Sequence, residues 1–270
     1  MFLGQHHPQF TSPPRSLSWR ILSGTLRYTL AALLLTSLGI FSGILAFSYH
    51  PILFAFLVTP PTDAETLSLY TPPDAESAAI NTHILSHPLA QSLRENPDYS
   101  ESRPHLKIPE IYRQSNLTGG TLAGPGRIAV PPVVFSDREG KNFVSVFYLG
   151  EQLCGHPGII HGGLLATMLD EGLARCCFPA LPNKVGVTAN LKVDYRKPAR
   201  AGQYYVLRAT TEAVEGRKAW VKGWIEGLVD EGKGEVPVKF VEAEALFVEP
   251  KNAKVSGVVG EVSLGGVRLC

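Results

Sequence analysis

The chain has 270 residues, 44% of them hydrophobic and 18% charged, with 26 glycines and 21 prolines, which excludes both a wholly disordered chain and a collagen-like repeat. Its 25 basic and 24 acidic side chains give a formal net charge of +1, without the basic excess by which a chain binds phosphate backbones, so nucleic acid is excluded as a partner. Cys154, Cys176, Cys177 and Cys270 are too few and too irregularly spaced for a disulfide scaffold and include no CxxC pair; they read as small, buried thiols in a reducing compartment.

Residues 1–62 contain no Asp or Glu and three arginines, Arg15, Arg20 and Arg27, so this part carries +3 and the remainder −2. Residues 1–27 read as a basic targeting or flanking segment with the composition of a mitochondrial targeting sequence. Residues 28–49 are uncharged. As a helix they extend roughly 33 Å, about one bilayer core, and are expected to form a transmembrane anchor in a mitochondrial membrane, specifically the inner one. Residues 50–119 read as linker and N-terminal extension: a Pro-, Thr-, Ser- and Asp-rich spacer over 59–76, a short helix over 81–96 interrupted near Pro88, and a polar stretch to Pro125. Gly119, Gly120, Gly124 and Gly126 lack a following GK[ST], so they read as a loop entering a strand rather than a phosphate cradle.

Residues 120–250 have the size of one compact domain, followed by a tail over 251–270. Residues 128–135 and 142–149 look like strands of a hairpin turned by SDREGKN. Leu164, Leu165, Met168, Leu169 and Leu173 then stand at helical spacing within 159–178, and Pro179 and Pro182 stop the helix. Residues 185–196 alternate apolar and polar with period two, the pattern of a half-buried strand with Thr188 and Asn190 on its polar face. Residues 203–214, 219–228 and 236–248 supply three more strands. One long apolar helix wrapped by an antiparallel sheet is an α+β architecture.

Three segments carry a resemblance: GHPGIIHGGLLATMLDEG (155–172), VTANLKVDYRKPARAG (187–202) and AVEGRKAWVKGWIEG (213–227). Together they resemble the hotdog-fold acyl-CoA thioesterases of the phenylacetate-degradation type, over about half the chain; the anchor and linker lie outside the resemblance. It implies a hotdog fold, hydrolysis of acyl-CoA to a free acid and coenzyme A, and a homodimer or homotetramer. No cofactor is implied.

Thioester hydrolysis needs hydrogen-bond donors for the oxyanion and a base or nucleophile across the carbonyl. His161, Gly162 and Gly163 stand where the helix starts, and the unpaired amides of Gly162 and Gly163 are the candidate donors. The resemblance places the catalytic carboxylate at Asp170, as general base or as nucleophile, and an unpaired acid on a core-facing helix would be costly without such a role. Glu171, about 100° further round, is expected to be solvated or paired with Arg175. Thr188 matches an assisting threonine of the family, and Asn190 is placed with it in substrate binding. Arg196, Lys197, Arg217 and Lys218 sit at turns from which long cations reach the phosphates of coenzyme A. His156 and His161 lack the ligand set of a zinc site, so no metal is expected. Two other readings fit the same pattern less fully: a hotdog enoyl-thioester hydratase or dehydratase, for which His156 would be the histidine, and a noncatalytic, membrane-tethered acyl-CoA binding module.

Overall fold

The computed structural model describes residues 17–49 and 59–253. Arg15, Cys270, residues 50–58 and the tail from 254 lie outside these described residues, as do the expectations that fall on them. Two units are distinguished, residues 1–58 and 59–270. The first contains helix α1 (Leu17–Tyr49), within which Leu26–Ala46 has a mean hydropathy of 2.0 and is long and apolar enough to cross a membrane.

In the second unit, three helices precede the sheet: α2 (Asp63–Ser68), α3 (Ala75–Ser86) and α4 (Pro88–Glu95). The expected spacer is therefore helical in part. Thr62 and Glu65 form a capping box at the start of α2, and the Asp74 carboxylate accepts from the Ser77 N–H at the start of α3. Pro88 does not interrupt a helix; it opens α4 at a first-turn position, where its missing N–H costs nothing.

Strands β1 (Tyr99–Ser102), β2 (Val133–Asp137), β3 (Asn142–Leu149), β6 (Val187–Tyr195), β7 (Gln203–Glu215), β8 (Lys218–Gly227) and β9 (Lys239–Val248) form one antiparallel sheet in the order β1-β2-β3-β7-β8-β9-β6. A small second sheet pairs β4 (Cys154–His156) with β5 (Ile159–Ile160). β2 starts five residues later than the apolar run suggests, because Pro131 and Pro132 cannot donate to a ladder. β9 likewise starts after Pro237, leaving Val236 outside it. A short helix α5 (Glu110–Arg113) precedes a π-helical turn, Leu117–Thr121, where the sequence reads as loop.

The central helix α6 (Gly162–Cys177) lays Leu164, Leu165, Met168, Leu169 and Leu173 on the sheet's inner face, against Phe143, Phe147, Leu207, Val221 and Phe247. This is the hotdog arrangement that the resemblance implies. α6 starts at Gly162 rather than 159 because Ile159 and Ile160 are paired with β4. Close approach of helix to sheet is set at Gly223, where a Cβ would lie 2.6 Å from the Arg208 carbonyl oxygen and 2.8 Å from Leu173 Cδ1.

A second core lies on the other face of the same sheet. Ile80, Ile84, Ala90 and Leu93 of α3 and α4 pack with Val133, Phe135, Val144, Val146 and Val206. β2 and β3 are thus covered on both faces, which accounts for their nearly continuous apolar sequence. Arg103, 1% exposed, ties this layer down by donating to the Pro131 carbonyl and to Asn81 Oδ1, with its guanidinium over the Tyr70 ring. At the far end of the sheet β6 has β9 as its neighbour on one side and an open edge on the other. The expected half-burial of β6 is accordingly reduced: Val187 and Tyr195 are exposed, and Leu191 and Val193 only partly covered.

Candidate active site

His161 is the N-cap of α6, and its ring nitrogen Nδ1 accepts the Gly163 N–H at 3.0 Å. Among the described residues none accepts from the Gly162 N–H. The two expected oxyanion donors are therefore in different states, one amide open and the other engaged by its own cap. Gly162 is also held from the sheet, because the Tyr195 hydroxyl donates to its carbonyl at 2.8 Å. Tyr195 is not among the candidate residues; its position at the end of the alternating strand, as the tyrosine of YRKP, is the signal that places it there.

Asp170 and Thr188 come together: the Thr188 hydroxyl donates to Asp170 Oδ1 at 2.7 Å. Asp170 is partly exposed and faces β6, so it is not the buried acid on the core face that the sequence suggests. Thr188 reaches it through a β-bulge. The register with β9 shifts between Thr188 and Asn190, opposite Phe247 and Leu246. Leu191 and Val193 pack toward α6, so by alternation Asn190 faces away, while the extra residue Ala189 returns Thr188 to the helix side. Thr188 and Asn190 are thereby separated, and the structure does not bring Asn190 to Asp170.

The more enclosed carboxylate is Glu171. It accepts from the Thr118 hydroxyl at 2.9 Å on both oxygens and lies 3.7 Å from His105 Nε2. Burial pushes the Glu171 carboxyl upward, but the neighbouring His105 ring, the charge of Arg175 and the hydrogen bond from Thr118 more than offset this and hold it below its usual value. Glu171 is thus a clasp between α6 and the N-terminal extension rather than a solvated residue. Neither His105 nor Thr118 is marked by any motif; each lies more than fifty positions from Glu171 in a stretch that reads as polar loop.

The four basic candidates fall at two ends of the sheet. Arg196 and Lys197 follow Tyr195, beside Gly162. Lys218 pairs with Val248, which pairs with Val187, so Arg217 and Lys218 lie at the Thr188 end. Counted along β9, Thr188 and Tyr195 are six rungs apart, roughly 20 Å. Arg196 is committed to Glu242, and Arg217 donates to the Glu249 carbonyl at 2.6 Å. The ammonium groups of Lys197 and Lys218 have no ion-pair or hydrogen-bond partner among the described residues. His156 is exposed on β4. Burial pushes the Cys176 and Cys177 thiols up to about 11 and about 12, so these two are inert packing groups, as expected, whereas Cys154 is half-exposed.

The model of the thioesterase superfamily matches residues 157–223, which contain the HGG start, Asp170, Thr188, β6, β7 and the first part of β8. Acyl-coenzyme A thioesterase THEM4 of Rattus norvegicus is 31% identical over 163 residues, 58% of this chain and 67% of that protein. The chain belongs to the thioesterase superfamily. A UPF0644 protein of Schizosaccharomyces pombe is 36% identical over 191 residues, 71% of this chain and 73% of its own length. An uncharacterised mitochondrial protein of Candida albicans is 33% identical over 187 residues, 66% of this chain and 81% of its own.

The Glu171 clasp has a signed consequence for stability. A carboxyl held below its ordinary value of 4.5 contributes stability above that pH and loses it as the pH falls through the lower, folded value. Glu171→Gln should therefore unfold at lower urea than the native chain at neutral pH, with the gap closing below about pH 4.5. A gap that persists unchanged into acid would assign the loss to packing alone.

Proposed function

We propose that this protein is a membrane-anchored acyl-CoA thioesterase whose active site is shared between two copies of the chain. The observation that carries this reading is the split of the site residues between two ends of one helix and one edge strand. Gly162, Tyr195 and Lys197 stand at one end, and Asp170, Thr188 and Lys218 at the other. Gly162 and Asp170 are roughly 12 Å apart along α6, too far for one carbonyl carbon to meet both. The open edge of β6 offers its backbone groups to another strand, and an antiparallel, twofold pairing of β6 with β6 sets each end against the other end of the partner.

In such a dimer the thioester oxygen accepts the open Gly162 N–H at the positive end of α6. The Gly163 N–H joins it when the His161 ring turns away from Nδ1 contact. Asp170 of the partner subunit, with Oδ1 held by Thr188, has Oδ2 to take a proton from water. The water oxygen adds to the carbonyl carbon, the carbon–sulfur bond breaks, and the coenzyme thiolate leaves with the proton. A free acid and coenzyme A result. Lys197 of one subunit and Lys218 of the other are free to meet the nucleotide phosphates, whereas Arg196 and Arg217 are already engaged.

Asp170→Asn and Gly162→Pro test the sharing. Each alone should lower kcat by about 10²-fold or more, since one removes the base and the other an oxyanion donor at a helix position that accepts proline. In a heterodimer of the two, one site carries both lesions and the other neither, so activity should return. Verified heterodimers as inactive as either parent would exclude a shared site.

Lys197→Ala should raise KM for acyl-CoA by on the order of tenfold, as for one lost charge-assisted hydrogen bond, and leave KM for an acyl-pantetheine thioester nearly unchanged. Equal effects on both substrates would remove Lys197 from the nucleotide site.

For placement, the apolar helix α1, the acid-free flank and the mitochondrial label of the Candida albicans relative support anchorage in a mitochondrial membrane, with the inner membrane as the proposed one. Carbonate extraction of isolated mitochondria should leave the full-length chain in the membrane pellet, and its release into the supernatant would reject the anchor.

A further inference from the structure

Beside the start of α6 lies a cavity of about 300 Å³, and its lining includes His161, Leu164 and Thr167 from the helix end, Leu153, and Leu117 and Leu122. Leu117 and Leu122 come from the π-helical turn and its C-cap, upstream of the stretch matched by the superfamily model. Leu117 is 49% exposed, a large apolar side chain left at the mouth of a cavity that is also lined by His161, the N-cap next to the expected oxyanion donors.

The segment that carries these two leucines is fixed to the site helix. Asn116 Oδ1 accepts the Gly119 N–H at 2.7 Å, and Thr118 donates to Glu171 at 2.9 Å, one residue beyond Asp170. Gly120 seats the turn directly on α5, where a Cβ would fall 1.9 Å from the Arg113 carbonyl oxygen. A turn braced by its own cap, tied to α6 through Thr118 and seated on α5 at Gly120 is a wall rather than a flexible flap.

We propose that this turn is the wall that limits acyl length, and that the preferred substrates are medium-chain acyl thioesters. The inference rests on the thioesterase reading given above. With the carbonyl at Gly162, the adjoining volume accepts the acyl tail, and Leu117, Leu122, Leu153 and Leu164 give it an apolar lining. A water-sized group occupies about 30 Å³, and a methylene is of similar size, so the cavity holds on the order of ten carbons. Each methylene buried raises kcat/KM by about fourfold until the space is filled, after which longer chains meet the wall.

The test uses the full-length chain in detergent, with kcat/KM measured for saturated acyl-CoAs from acetyl to palmitoyl. The native protein should peak near decanoyl. Leu117→Trp, at an exposed position, should narrow the mouth and lower the decanoyl-to-acetyl ratio by about tenfold or more, the worth of roughly two methylenes. Leu122→Ala should move the peak to longer chains. The ratio within each variant is independent of how much of it is folded. If the native chain hydrolyses acyl-CoA but both variants keep its chain-length profile, or if its peak lies at palmitoyl, the wall assignment is overturned while the thioesterase reading stands. If the native chain hydrolyses no acyl-CoA, that reading fails and the wall assignment fails with it.

Discussion

The burial of one helix on one sheet governs the positions of all the chemistry in this molecule. Leu165, Leu169 and Leu173 of α6 are each no more than 2% exposed, so rotating the helix would expose leucines at a cost of about 1.5 to 3 kcal/mol apiece. That constraint fixes which residues are left on the flanks. Asp170 faces the edge strand, Glu171 faces the N-terminal extension, and the open amide of Gly162 stands at the end marked by Tyr195. Gly172 and Gly223 set the distance, since a Cβ at Gly172 would meet Leu207 Cδ1 at 2.7 Å and one at Gly223 would meet Leu173.

The helix, the hairpin and the long strands were legible because each is governed by a local period, and the leucine spacing in α6 has no competing reading. The pairing of Asp170 with the region around Thr188 was legible only as a family likeness. Its geometry depends on a bulge at Ala189, and a bulge is a mismatch between two strands that neither strand's own sequence announces. By strict alternation Thr188 and Asn190 share a face; in the sheet they do not.

The extension was misread for a different reason. Its Pro and Ser content matches a spacer, yet the capping box of Thr62 and Glu65 and the Asp74 cap are helix starts that composition averages away. The partners of Ile80 and Ile84 of α3, such as Phe135 and Val206, lie far along the chain, so no window contains the reason they are buried. Glu171 follows the same rule: its i+4 neighbour Arg175 is visible in sequence, whereas Thr118 and His105 become neighbours only once the extension has folded over the helix.

The two-sided coverage of β2 and β3 has a consequence for how copies of the chain stack. Where α3 and α4 lie on the outer face, that face is closed to any other molecule. Toward the opposite edge the outer face is crossed by a row of charges, Glu212 to Lys222 at 3.2 Å and Lys222 to Glu244 at 3.3 Å. Sheet-on-sheet stacking there would strip water from three charges at once, an unfavourable step unless new partners replace it. Pairing along the β6 edge would leave both sheet surfaces hydrated, so the charged row on the outer face favours contact through that edge over contact through that face.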